Sequence, residues 1–255
     1  KEDETKNVDI IRDIENLKYY NEYGAFSNDG KEYFIRINKK TKTPTTWSHI
    51  MANKNFGTVV TESNGGYVWY KNSRLNRITS WHNNNSINIP SEVIYLKDME
   101  NGNTWSPTAM PKPDDKNYAI FGFGYAKYLH NSNDINQELN VFVAEEDSAK
   151  ISILTLKNNA PKKKKIKIVY YIKPVLGEDE IKSDGYIKLG YEENFNILTA
   201  KNLYNKDEFN DIVYISSSEK ILSYTGNKKT FFGKDGISNP NGLYQLRLDN
   251  DNGLG

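Results

Sequence analysis

Val93-Ile94-Tyr95-Leu96-Lys97-Asp98-Met99-Glu100-Asn101-Gly102-Asn103-Thr104-Trp105-Ser106 is the stretch that decides the fold class. An apolar, β-branched and aromatic run leads into Asn-Gly, and a second short run follows it. Asn-Gly supplies the positive φ values of a tight hairpin turn, and the flanking residues suit a half-buried pleated surface. The same pattern recurs outward in both directions. Asn28-Asp29-Gly30 separates Phe26 from the alternating run 32–37, and Asn64-Gly65-Gly66 separates strands at 56–62 and 67–70. Pro44 lacks a ladder donor and makes 43–47 a loop. Residues 119–128 read as one alternating strand through Gly122 and Gly124, and 139–144 as another. Residues 151–156 face 166–172 across a loop that holds Pro161 and the lysines 162–165. Further strands fall at 186–189, 197–200, 212–215 and 221–224. Short strands at this spacing, with hardly a helical period anywhere, predict an all-β fold: one large two-sheet antiparallel β-sandwich over 19–255. Residues 1–18 read as a linker or a short amphipathic helix carrying Ile10, Ile11, Ile14 and Leu17.

The totals narrow the function. With 34 Lys and Arg against 33 Asp and Glu, the formal net charge is +1, which favours neither nucleic acid nor an anionic membrane. There are no cysteines and only three histidines, His49, His82 and His130, none at metal-ligand spacing. Thiolate chemistry is excluded, and a metal site or a Ser-His-Asp triad is not expected. No run approaches a membrane span, and no signal pattern opens the chain. It starts at Lys1 rather than Met and reads as a fragment or a processed product, with cytoplasmic residence as the expectation.

One segment is rich in ligand chemistry. Residues 67–81 combine Tyr67, Trp69, Tyr70, Arg74, Asn76, Arg77 and Trp81, with Asn83, Asn84 and Asn85 following. Aromatic faces cover the apolar face of a pyranose, while guanidinium and amide groups bond vicinal hydroxyls. Trp69 and Trp105 lie in strand patterns and read as core. Trp47 and Trp81 sit in polar loops and are the better sugar platforms. Carboxylates placed for glycoside acid/base work are missing: Glu145, Glu146 and Asp147 are consecutive, Asp114 and Asp115 follow Pro113 as turn formers, and Glu62 and Asp98 end strands. Gly122-Phe123-Gly124 lacks the third glycine and the crossover of a phosphate-binding loop. The four lysines 162–165 read as a solvated hairpin tip. No catalytic residue is assigned.

The order of motifs then becomes recognisable. Asn21-Glu22-Tyr23-Gly24-Ala25-Phe26, Thr43-Pro44-Thr45-Thr46-Trp47-Ser48-His49, Asn72-Ser73-Arg74-Leu75-Asn76-Arg77-Ile78-Thr79, Ile94-Tyr95-Leu96-Lys97-Asp98 and Trp105-Ser106-Pro107-Thr108 occur in series. This series resembles the N-terminal super-sandwich of glycoside hydrolase family 94, the inverting glycoside phosphorylases. Gly122-Phe123-Gly124-Tyr125, Ala200-Lys201-Asn202-Leu203-Tyr204-Asn205 and Phe232-Gly233-Lys234-Asp235-Gly236 are similar to the branch of cyclic β-1,2-glucan synthases and β-1,2-oligoglucan phosphorylases. The resemblance covers the chain from about Tyr19 onward. It departs at Ser80-Trp81-His82-Asn83-Asn84-Asn85, where the branch usually carries two prolines and an Asp.

The resemblance implies a galactose-mutarotase-like sandwich that precedes an (α/α) barrel. In the family, inorganic phosphate is the co-substrate, attacking the anomeric carbon with inversion to release α-glucose 1-phosphate, and no other cofactor is implied. The general acid and phosphate site belong to the barrel, and the N-terminal domain helps close the active site of the other subunit in a homodimer. A β-glucan oligosaccharide is the implied ligand, with Arg74, Asn76, Arg77, Trp81 and Trp47 as the contact residues. A free-standing carbohydrate-binding module and a purely structural dimerisation domain are the alternatives. The resemblance also implies at least one strand beyond Gly255.

Overall fold

The computed structural model describes residues 14–38, 42–82, 84, 89–114, 117–178, 180–204 and 212–253. Seventeen strands are formed among them. In chain order they are β1 (Gly24–Phe26), β2 (Tyr33–Ile37), β3 (Ser48–Ala52), β4 (Phe56–Thr61), β5 (Gly66–Tyr70), β6 (Arg77–Thr79), β7 (Glu92–Asp98) and β8 (Thr104–Trp105). They continue with β9 (Asn117–Gly122), β10 (Tyr125–Ser132), β11 (Ile135–Val143), β12 (Lys150–Asn158), β13 (Ile166–Ile172), β14 (Pro174–Gly177), β15 (Ile187–Glu192), β16 (Ile197–Asn202) and β17 (Val213–Ser216). Two short helices, α1 (Glu180–Ser183) and α2 (Lys228–Phe232), interrupt the strands.

All pairings are antiparallel and build four sheets: β1-β2-β9-β10-β11-β12, β14-β6-β5-β4-β3, β13-β7-β8 and β15-β16-β17. Two layers result. Ile35, Ala119, Tyr128, Leu139 and Val141 of the six-stranded sheet pack against Met51 and Val60 of the five-stranded sheet, forming the main core. Leu154, Leu156 and Ile135 of the six-stranded sheet meet Ile94, Leu96, Trp105 and Ile166 of β7, β8 and β13. Phe56, Val68, Ile78 and Leu176 pack against Ile187 and Ala200, which places β15-β16-β17 over the same five-stranded sheet. The six-stranded sheet and β15-β16-β17 therefore share one layer, opposite the other two sheets. This is the sandwich that the strand spacing predicted.

Outer surfaces are closed by the chain's flanks. Ile14 and Leu17 pack on Ala25, Phe34, Ile120 and Leu129. Phe231, Phe232 and Leu243 cover Val93, Tyr95, Val169 and Tyr171. Burial in this second cluster pushes the Tyr171 phenol up to about 12 and raises that of Tyr95 as well.

Several expectations are corrected. The 93–106 hairpin forms in register, Leu96 opposite Trp105 and Lys97 opposite Thr104. Residues 119–128, in contrast, are not one strand. They turn at Phe123-Gly124, with Gly124 at φ +82° and Tyr125 opposite Gly122. Two glycines spaced by one residue are a turn signal that alternation overrode. Strands β12 and β13 do not pair across their loop: β12 joins β11 and β13 joins β7. Residues 221–224 form no strand. Most of the helix anticipated over 1–18 lies outside the described residues, and its end, Ile14–Asn16, is a 3-10 turn.

Lys164 leaves the solvated lysine run. Its side chain is 8% exposed and reaches Asp98 at 3.3 Å and Asp134 at 3.6 Å. Asp98 also accepts the Glu100 N–H at 2.9 Å, and these bonds hold its carboxyl below the usual carboxylate range. A depressed folded-state value stabilises the fold above the unfolded value and loses that stabilisation as the pH falls through the folded one. Asp98→Asn is expected to lower the melting temperature at pH 7, with the difference from wild type vanishing in strong acid; a pH-independent difference in a melting series would contradict this.

Tyr128, 1% exposed, donates its hydroxyl to the Thr61 carbonyl at 2.7 Å across the two layers. Tyr128→Phe removes this bond while the Asn64 N–H still satisfies the acceptor at 2.9 Å, and is expected to cost about 0.5–1.5 kcal/mol in urea unfolding.

Candidate functional site

Residues facing each other in an antiparallel ladder point to the same side. The register Met51–Thr58–Val68 lies on the inner face of the five-stranded sheet, and Ile50–Val59–Tyr67 and Ala52–Gly57–Trp69 lie on the outer one. Arg77 pairs with Trp69 and joins the outer face. The outer face thus carries Tyr67, Trp69 and Arg77 on adjacent strands, with Ile50, 65% exposed, on the edge strand β3.

The rings form a stack. Trp81 lies on Tyr67 with centroids 4.6 Å apart and planes 15° from parallel. Trp69 tilts against Tyr67 at 5.4 Å, and the Arg77 guanidinium carbon sits 5.6 Å from the Tyr67 ring centre. Tyr67 is buried beneath this group, while Trp69, Arg77 and Trp81 are half-buried. Gly57 makes the stack fit: a Cβ there would sit 2.2 Å from the Trp69 ring. The Arg77 Nε is buried and has no acceptor among the described residues.

A charged rim surrounds the stack. The β5–β6 loop is held by Asn72, whose Oδ1 accepts the N–H groups of Arg74 and Leu75 at 2.9 Å. This is the Asx-type turn chemistry that short amide side chains favour. Asn76 closes the loop through its backbone, accepting from Tyr70 N–H at 3.1 Å and donating to Asn72 at 3.0 Å. Pairing of β14 with β6, Gly177 opposite Arg77, brings Glu178 to Arg74, with Nε and Oε1 3.5 Å apart. At the start of α1, Glu180 meets His82 Nε2 at 3.1 Å and also pairs with Lys173. The sequence reading missed Glu178 and Glu180. Their approach depends on a pairing between strands about a hundred residues apart, and no local pattern encodes it.

Arg74, Asn76, Arg77 and Trp81 therefore lie on one loop and one face, whereas Trp47 does not join them. Trp47 packs against the main core, between Tyr23 at 6.1 Å and Tyr33 at 6.0 Å. Its backbone N–H donates to the Glu62 carboxylate at 2.9 Å. Glu62, read as a strand-end charge, is buried under that loop, and burial pushes its carboxyl up. Trp69, read as core, stays half-buried on the outer face, while Trp105 is core and donates to Gln137 at 2.9 Å. His130 is also structural, with ring nitrogens 2.8 Å from the Ser106 carbonyl and 2.6 Å from Asp114. Asn83 and Asn85 lie outside the described residues. Among the described residues no cluster of His, Cys, Asp and Glu could hold a metal ion, and no helix is long and apolar enough to cross a membrane.

Gly57→Ala is expected to displace the Trp69 ring and destabilise the chain by about 1–3 kcal/mol, the range for overpacking. Near-UV circular dichroism is the readout, and an unchanged Trp signal at unchanged stability would contradict this packing.

Comparison with known proteins follows the same outline. The model of the glycosyl hydrolase 94 supersandwich domain matches residues 31–255. The cyclic beta-(1,2)-glucan synthase NdvB of Rhizobium meliloti (strain 1021) is 28% identical over 224 residues, covering 86% of this chain and 8% of its own length. The N,N'-diacetylchitobiose phosphorylase of Vibrio furnissii is 27% identical, covering 83% of this chain and 27% of its own length. That of Vibrio proteolyticus is also 27% identical, with 89% of this chain and 29% of its own length covered. The chain thus spans less than a third of each of these relatives.

Proposed function

Given that the chain belongs to glycosyl hydrolase family 94, as its supersandwich domain, we propose that it is the non-catalytic sandwich of an inverting phosphorylase or glucan synthase acting on β-1,2-linked glucans. Its outer aromatic face contacts the glucan, and cleavage by inorganic phosphate takes place in a helical barrel. The similarity to a cyclic beta-(1,2)-glucan synthase supports this glucan.

One observation carries the contact assignment: the half-buried Trp81 indole stacked on Tyr67, with the Arg77 guanidinium beside it. A guanidinium carries several N–H donors that suit vicinal sugar hydroxyls. The half-buried Trp81 offers an indole for the apolar face of a glucose ring. Glu178 already faces Arg74, and Glu180 faces Lys173 and His82, so the rim carboxylates are partnered and leave the face suited to an uncharged ligand. In a homodimer the same face meets the active-site mouth of the other subunit.

The test uses the complete enzyme, with release of α-glucose 1-phosphate from β-1,2-gluco-oligosaccharide and phosphate as the assay. Trp81→Ala is expected to raise KM about tenfold, equivalent to about 1.4 kcal/mol of lost stacking, and to leave kcat nearly unchanged. Unchanged KM would reduce the face to a structural or dimer contact. Phosphorolysis by residues 1–255 alone would overturn the division of labour, and saturable quenching of Trp fluorescence by the oligosaccharide on residues 1–255 would favour a free-standing binding module.

A further inference from the structure

The inner face of the six-stranded sheet runs past the edge of the sheet it packs on. Gly24, Ile35 and Ala119 align across β1, β2 and β9, and two residues along, Phe26, Tyr33 and Phe121 align on the same side. The opposite sheet ends at β3. His49 of β3 stacks on Phe121 with centroids 5.0 Å apart, and Trp47, just before β3, leans on Tyr33. Phe26 lies beyond them and is 41% exposed.

A row of five rings follows this overhang. Tyr19, Phe26, Tyr33, Trp47 and Tyr23 succeed one another with centroids 6.4, 4.7, 6.0 and 6.1 Å apart. Several local bonds hold the row in place. Lys18 and Phe26 exchange backbone hydrogen bonds, and the Asn21 N–H donates to the Gly24 carbonyl at 3.0 Å. The hairpin closed in this way presents Tyr19 at φ +55° and leaves it 82% exposed, a backbone conformation that bulky residues seldom adopt. Gly24 leaves room for the Tyr33 ring, which a Cβ would approach to 3.0 Å. Asn21 Nδ2 donates to the Tyr33 hydroxyl at 3.2 Å and fixes its polar end.

The chemistry of the row selects its occupant. It is aromatic throughout, and every ring except that of Phe26 carries a polar atom, which suits a ligand with an apolar face fringed by hydroxyls. The Tyr19 hydroxyl and the Trp47 indole N–H bond nothing among the described residues and stand free beside the ring faces. Charge is turned away: Glu32 and Arg36 alternate to the opposite side of β2, where they bond Tyr125 and Glu15. We propose that this overhang is a second carbohydrate-binding surface. The apolar face of a neutral pyranose lies against Phe26 and Tyr33, and Tyr19, Asn21 and Trp47 bond its hydroxyls. It belongs to the other sheet from the Tyr67–Trp81 stack and shares no residue with it, so it does not rest on the outer-face contact.

The experiment places 4-fluorophenylalanine at position 26 of the complete enzyme and follows its fluorine resonance while β-1,2-gluco-oligosaccharides, and separately cello-oligosaccharides, are titrated in. A saturable shift is expected with at least one of them, and it is expected to persist in the Trp81→Ala background. Tyr19→Ala, a change at an exposed ring that leaves the fold intact, is expected to weaken the binding about tenfold. No shift with either sugar would overturn the proposal, as would a dissociation constant unchanged by Tyr19→Ala. Loss of the shift with Trp81→Ala would overturn it by assigning the response to the outer face. A shift that follows protein concentration in the absence of sugar would overturn it in favour of contact between copies. The KM of Trp81→Ala is read independently of this resonance, so failure of one assignment is separate from failure of the other.

Discussion

The contact between the inner face of the six-stranded sheet and that of β3-β4-β5 organises the rest of the molecule. Ile35, Leu139 and Val141 supply apolar area, and Tyr128 adds a directional element at the centre, its hydroxyl fixed on the Thr61 carbonyl at 2.7 Å. Apolar packing alone tolerates sliding, whereas a buried hydrogen bond left unmade is costly and so sets the registry of the two layers. Thr61 ends β4, and its carbonyl also accepts the Asn64 N–H at 2.9 Å. Its side chain takes the Gly65 N–H at 2.7 Å, which shapes the turn into β5. Gly66 then enters β5 at φ +106°, so close to Val59 that a Cβ would lie 2.1 Å from its carbonyl oxygen. From that point the pleat assigns Val68 to the core and Tyr67 and Trp69 to the outer face.

The outer face is therefore a consequence of how the inner face is buried. A one-residue slip of β5 would exchange Tyr67 and Trp69 with Val68 and dismantle the stack. Gly57 is the matching concession on β4, since only a residue without a side chain leaves room for the Trp69 indole. Aromatic groups that look redundant for folding are thus held by the same constraint that builds the core. Such a rigid, amphipathic surface loses little side-chain freedom when a ligand is laid on it.

How much of this was legible in the sequence depended on how local each feature was. The 93–106 hairpin was readable because its turn chemistry and alternation sit within fifteen residues. The hairpin at 122–125 was hidden because Ala119 to Tyr128 alternates across the turn as well as along each strand. The partners of β12 and β13 were misread as each other because adjacency in sequence is the usual guide, and here each strand instead completes a different layer. In the site, Arg74, Asn76, Arg77 and Trp81 share one hairpin and were found together. Trp47 lies apart from them because a polar loop in sequence folds down between Tyr23 and Tyr33 in space. Glu178 and Glu180 were invisible because only the β6–β14 pairing brings them near.

The central claim is that an outward-facing Trp81–Tyr67–Arg77 stack meets glucose units while bond cleavage proceeds on another domain. A crystal structure of the complete enzyme with a β-1,2-gluco-oligosaccharide and a phosphate mimic tests it most directly. The expected result is a glucosyl ring lying on the Trp81 indole, with a hydroxyl accepting from the Arg77 guanidinium. Sugar bound only at a distance from this face, with Trp81 and Arg77 sealed beneath another part of the same subunit, would contradict it.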